Sequence, residues 1–104
     1  MTLPTWTGKS HFKYEGSVSK GTQMWFGKDE RLTVLASQYT RLLDHFKGQE
    51  VLVGTSRDKP QSGSLGEWLQ VNVTRTAIAS YVAPILVTEG YALRVTDRTK
   101  IKFN

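Results

Sequence analysis

From Leu32 onward the apolar residues of this 104-residue chain recur as Leu32, Leu35, Ala36, Tyr39, Leu42, Leu43 and Phe46. That spacing lines one face of an α-helix, and no other segment declares its secondary structure as plainly. Asp29 or Thr33 is placed to cap the start, the acidic pair Asp29 and Glu30 suits the positive end of the helix dipole, and Gly48 after Lys47 supplies a stop. With 38% hydrophobic and 11% aromatic residues the chain can build one modest core, which suits one domain and not two.

Downstream, Val51, Leu52 and Val53 form an apolar, β-branched run too short for a helix, and predict a short buried strand within Glu50 to Thr55. Gly54 to Gly63 is a polar loop. Ser64-Leu65-Gly66-Glu67 has the capping-box spacing and opens a short helix carrying Leu65, Trp68 and Leu69, to about Asn72. Thr74 then caps a third predicted helix with Ile78, Tyr81, Val82, Ile85 and Leu86 on its apolar face and Gly90 as its end. Pro84 inside that helix removes the bond to the Ser80 carbonyl, so a kink is expected, or a helix that packing holds together. Tyr91 to Phe103 alternates as a hairpin. A three-residue loop, Asp97 to Thr99, would pair Val95 with Ile101 and Leu93 with Phe103, and put Arg94 beside Lys102 on the outer face. Before the first long helix, His11 to Gly16 and Thr22 to Gly27 predict two more strands around Ser17 to Gly21, with Phe12, Tyr14, Met24 and Phe26 as apolar contacts.

Charge is unevenly spread. Lys9, Lys13, Lys20 and Lys28 stand against Glu15 in the first 28 residues, and Arg94, Arg98, Lys100 and Lys102 against Asp97 after residue 90. The net +5 is thus concentrated at the two ends, which points to a polyanionic partner, although a basic surface that only keeps the chain in solution gives the same count. The absence of cysteine excludes disulfides, thiol catalysis and thiolate metal sites, and His11 and His45 are too few for an ordinary zinc site. No run reaches the roughly 18 apolar residues of a membrane span, and Met1 to Lys9 lacks the order of a secretory signal, so the expectation is a cytoplasmic protein without membrane contact.

In residues 29–104 the order helix, short strand, short helix, helix, hairpin resembles a winged helix-turn-helix domain, with residues 1–28 as a β-rich N-terminal arm. The expected fold class is therefore α+β and winged-helix-like. The resemblance implies a third helix in the DNA major groove and a hairpin wing on phosphates. Carried onto this chain, the helix would present Arg75, Thr76, Ala79, Ser80 and Ala83. Arg75 would reach a phosphate or guanine, Thr76 and Ser80 would donate weaker bonds, and Arg94, Arg98, Lys100 and Lys102 would neutralise phosphates. The resulting expectation is a non-catalytic binder of nucleic acid, most of all double-stranded DNA, with no cofactor and no metal. The rival is a protein-interaction or dimerisation module. There the small-residue face of the third helix and the aromatic arm are contact surfaces, the partner is an acidic protein, and the arm pairs two subunits as a homodimer.

Other signals have plainer readings. His45 near a helix end suits the dipole, and His11 with Glu15 does not make a metal site. Gly8-Lys9-Ser10 matches the end of a phosphate-binding loop, yet position 3, where that motif needs glycine, is Leu. Ser64 between glycines is accounted for by capping. Trp68 is expected to anchor the core between helices. Trp6 and Trp25 are freer to be stacking or interface residues, or to pack the arm onto the body.

Overall fold

The structure, a computed structural model, describes all of residues 1–104. Its elements are β1 (Thr2–Pro4), β2 (His11–Ser17), β3 (Gly21–Phe26), β4 (Glu30–Val34), α1 (Ala36–Phe46), β5 (Glu50–Leu52), α2 (Leu65–Asn72), α3 (Ala79–Thr88), β6 (Ala92–Arg94) and β7 (Lys100–Phe103). They make an α+β fold of three helices and two antiparallel sheets, one ordered β1-β2-β3-β4 and the other β5-β7-β6.

The N-terminal sheet shows the period-2 logic of a strand covered on one side. Phe12 and Tyr14 of β2, Met24 of β3 and Val34 of β4 are buried, while His11, Lys13, Glu15, Gln23, Arg31 and Thr33 between them are exposed. The β2–β3 hairpin is the one expected from the sequence, and Gly16 and Gly21 turn it at positive φ. A side chain at Gly16 would strike the Gly21 carbonyl, so glycine is required there. β1 and β4, which the sequence did not announce, complete the sheet. β4 corrects the expected start of the first helix: Leu32 and Val34 belong to a strand paired with β3, Met24 opposite Leu32 and Thr22 opposite Val34. Asp29 and Thr33 therefore cap nothing. The helix begins at Ala36, and the Gln38 amide oxygen accepts from the Leu35 N–H at 2.8 Å. Leu32 and Val34 fit the helical stripe and the strand alternation equally well, and the unpaired edge of β3 decides between them.

α1 buries Tyr39, Leu42 and Phe46; the Tyr39 and Thr22 hydroxyls share a buried hydrogen bond of 2.7 Å that ties the helix to this sheet, and Phe46 stacks on Phe103 of the second sheet at 5.0 Å. The helix stops where expected, with Gly48 at φ +73°. α2 is capped by Ser64, whose hydroxyl accepts from the Glu67 N–H at 3.1 Å; the Glu67 carboxylate reaches one residue further back than a standard box, to the Gly63 N–H. Trp68 is half-buried against the core.

α3 departs from expectation at its start. Thr74, Arg75 and Thr76 lie before the helix, in a turn where the Thr74 hydroxyl accepts from the Thr76 N–H, and the helix opens at Ala79. Pro84 does not interrupt it. The Ser80 carbonyl that Pro84 cannot engage accepts instead from the Trp6 backbone N–H at 2.9 Å. The vacancy in the helix ladder is thus the point at which the N-terminal segment is fastened, and the carbonyl keeps a partner. α3 is enclosed on nearly all sides, since Ala79, Val82, Ala83, Pro84, Ile85 and Leu86 are all buried. Its N-terminal half meets the first sheet through Tyr81, which stacks on Phe26 with centroids 4.4 Å apart and meets Phe12 edge-on at 5.2 Å. At its far end the Glu89 carboxylate accepts from the Tyr14 hydroxyl and the Val18 N–H, both at 2.9 Å.

The C-terminal hairpin is shifted one residue from the expected register. Ala92 faces Phe103, Leu93 faces Lys102 and Arg94 faces Ile101. The connection runs from Val95 to Thr99, and the slip turns Ala92 inward and leaves Leu93 61% exposed. α3 packs closely under β6, and Ala92 is 1% exposed there. Arg94 gains a partner of its own in Trp6. The hydrophobic core is one cluster that runs from Trp6 to Phe103 and spans both sheets, so residues 1–28 are built into the body.

Candidate functional site

Four clefts follow one another over the surface, each sharing residues with the next. The first, of about 570 Å³, lies between Pro4–Gly8 and the hairpin loop, with Arg94, Thr96, Arg98 and Thr99 on its far wall. It shares Trp6, Thr7, Arg98 and Thr99 with a second cleft, which extends to Val53, Thr55, Ser56 and Gln61. Thr55 also borders a third, where Arg57, Arg75, Thr76 and Ser80 meet Phe26, Gly27 and Glu30 of the β3–β4 turn. That turn carries the path on to Trp25, Lys28, Asp29 and Arg31. The whole path presents six cations, Arg94, Arg98, Arg57, Arg75, Lys28 and Arg31, against Asp29 and Glu30, with a run of hydroxyl groups between them.

Trp6 organises the first two clefts. Its indole N–H donates to the Arg98 carbonyl at 2.6 Å, and its own carbonyl accepts from Arg94 at 3.3 Å. The Arg94 guanidinium lies 3.9 Å from the centre of the indole ring, a cation–π contact that fixes a long side chain in one orientation. In the hairpin loop the Asp97 carboxylate accepts from the Thr99 hydroxyl at 2.6 Å and the Thr99 N–H at 2.9 Å, which holds its carboxyl below the ordinary range. Arg98 is therefore presented from an ordered turn.

The residues singled out in the sequence divide. Arg75, Thr76 and Ser80 gather in one cleft, and Arg94 and Arg98 in another. Lys100 and Lys102 lie in neither: they alternate with buried Ile101 and Phe103 on β7 and point to the other side of the second sheet from Arg94. Lys102 sits opposite Glu50 and donates to the Gly48 carbonyl at 3.0 Å, so the expected pairing of Arg94 beside Lys102 is corrected. The expected reading face of the third helix is corrected as well. Ala79 and Ala83 are 1% and 0% exposed, and Arg75 and Thr76 are outside the helix. Sequence reasoning missed Arg57, Lys28 and Arg31. Arg57 sits in a loop recognised only as polar, and the other two reach the path through a β3–β4 pairing that no local pattern signals.

His45 stands edge-on to Phe46 and is exposed, and no three His, Cys, Asp or Glu side chains converge as metal ligands. No helix is long and apolar enough to cross a membrane. Compared with protein-family models, curated proteins and solved structures, the chain matches none.

Proposed function

We propose that this protein binds nucleic acid without catalysis, gripping backbone phosphates along this row of neighbouring clefts. The observation that carries the reading is that path itself, in which Arg94, Arg98, Arg57 and Arg75 alternate with threonine and serine hydroxyls. Arginines supply charge and bidentate geometry to phosphate, and hydroxyls and loop N–H groups supply position. The order α1, β5, α2, α3, β6, β7, with β5 joined to the C-terminal hairpin, supports a winged-helix reading of residues 29–104. On that reading the N-terminal sheet occupies the side of α3 that would otherwise enter a groove, and recognition moves from the helix to the loops at its edge. Contacts of this kind favour phosphate over base sequence, so the expected binding is general in sequence.

The test is fluorescence anisotropy with labelled mixed-sequence oligonucleotides, duplex and single-stranded, at roughly 50 and 200 mM salt. Micromolar binding that weakens steeply with salt, and that is lost in an Arg57→Ala, Arg75→Ala, Arg98→Ala triple variant, is expected. A Lys100→Ala, Lys102→Ala variant should bind nearly as the parent does. Absence of binding of either form at low salt overturns the proposal and moves the function to an acidic protein partner.

A further inference from the structure

On the outer face of the N-terminal sheet one aromatic ring stands among polar residues. Cross-strand pairing sets Lys13 opposite Trp25 and Trp25 opposite Arg31, so a tryptophan on the central strand β3 is flanked on both neighbouring strands by a cation. Directly opposed residues share a face of the sheet, with Cβ atoms roughly 5 Å apart. The Lys13 ammonium stands 5.6 Å from the Trp25 ring centre, and Lys13 and Arg31 are exposed while Trp25 is half-buried. The sheet's apolar residues, Phe12, Met24 and Val34 among them, all face the other way, so Trp25 is not needed to close the core.

We infer that this row is a stacking platform for an unpaired base, and that the single-stranded form is the nucleic acid this protein prefers. The inference rests on the nucleic-acid reading above and names the ligand class within it. A ring left partly uncovered on the outer face of a sheet offers a π-face to any base, and flanking cations about a strand spacing away are placed for the phosphates on either side. A base buried in a duplex cannot reach such a ring. Lys13, on a flexible stem, can leave the indole for a phosphate, exchanging an exposed cation–π contact for a charge pair while the base takes over the ring. Trp25 and Arg31 also border the last cleft of the path, which continues through the β3–β4 turn to Arg75 and Arg57. A strand stacked on Trp25 therefore has a cationic track to follow, and charge complementarity selects a polyanion over a second protein surface.

The experiment compares a labelled single strand of about a dozen nucleotides with its own duplex, for the parent, Trp25→Ala, Trp25→Phe and a Lys13→Ala, Arg31→Ala variant. Loss of one stacked base should weaken single-strand binding by roughly five- to a hundredfold in Trp25→Ala, leave duplex binding within about twofold, and be partly restored by phenylalanine. The double cation variant should weaken single-strand binding and lower its salt dependence. Urea midpoints near the parent's show that each variant is folded; if Trp25→Ala is not, Trp25→Phe and the cation pair carry the test. Equal loss on both ligands, or no loss on either, overturns the platform and leaves the cleft reading standing. Duplex binding without single-strand binding does the same, whereas binding of neither by the parent overturns both.

Discussion

Trp6 is satisfied by three residues from two distant parts of the chain: its N–H goes to Ser80 of α3, and in the C-terminal hairpin its indole N–H goes to Arg98 while its ring and carbonyl engage Arg94. Trp6→Phe keeps most of the packing but leaves the Arg98 carbonyl without its donor, and should lower unfolding free energy by about 1 kcal/mol in urea titration. Trp6→Ala also empties a buried site and should lose about 3–5 kcal/mol. Tyr14 leads to a pH prediction. Burial, then its hydrogen bond to Glu89, pushes its hydroxyl from 10.0 up to about 12, and burial raises Tyr39 as well. Because the folded values lie above the unfolded ones, the contribution is complete below pH 10 and is lost as pH rises toward 12. Urea midpoints should therefore fall across that interval, and less steeply in Tyr14→Phe. At this scale the sequence could say that Trp6 and Trp25 were available for stacking or packing. It could not say that Trp6 turns inward and Trp25 stays out, because their places follow from partners as many as 92 residues away.

The seating of α2 depends on two glycines. The Gly66 N–H donates to the Val53 carbonyl at 2.8 Å, and a Cβ at Gly66 would fall 1.9 Å from the Gly54 carbonyl oxygen. Gly66→Ala should destabilise by about 1–3 kcal/mol or more in urea titration, because the obstacle is backbone and cannot swing aside. Gly48→Ala, with open space around its Cβ, should cost less even though its positive φ strains alanine. Elements were legible wherever a local signal had no competitor: Ser64 and Glu67 for α2, Gly48 and Gly90 as helix ends, and the hairpin around Ser17 to Gly21. They were misread where tertiary structure chose between two local solutions. Leu32 to Leu35 fits both periodicities, and β3 needed a partner. The Thr74 capping signal is used in a turn that precedes α3 by several residues. Leu93 is the more hydrophobic candidate for the inner face of β6, but the room beside α3 takes Ala92, and Arg94 then reaches Trp6.

Taken whole, the molecule gathers six of its fourteen Lys and Arg residues along the neighbouring clefts rather than on a helix. In the triple arginine variant the slope of log affinity against log salt should shrink by roughly 0.7 to 0.9 for each phosphate contact removed, a difference measurable by anisotropy across a salt series. The basic ends were visible in the sequence, and so was a polyanionic partner as their implication. The joining of those ends to Arg57, Arg75 and Arg31 was not, because it depends on which loops the fold brings together. The same closure affects the order in which the molecule can be made. During synthesis the N-terminal segment leaves the ribosome first, yet the carbonyls that receive Trp6 belong to Ser80 and Arg98. The β2–β3 hairpin, and β1 beside it, can form early from neighbours in sequence, whereas Trp6 must wait until Ser80 and Arg98 have emerged. Trp6 is thus translated long before the residues that fix its place, and until they are in position the open ladder position that Pro84 leaves in α3 has no one to fill it.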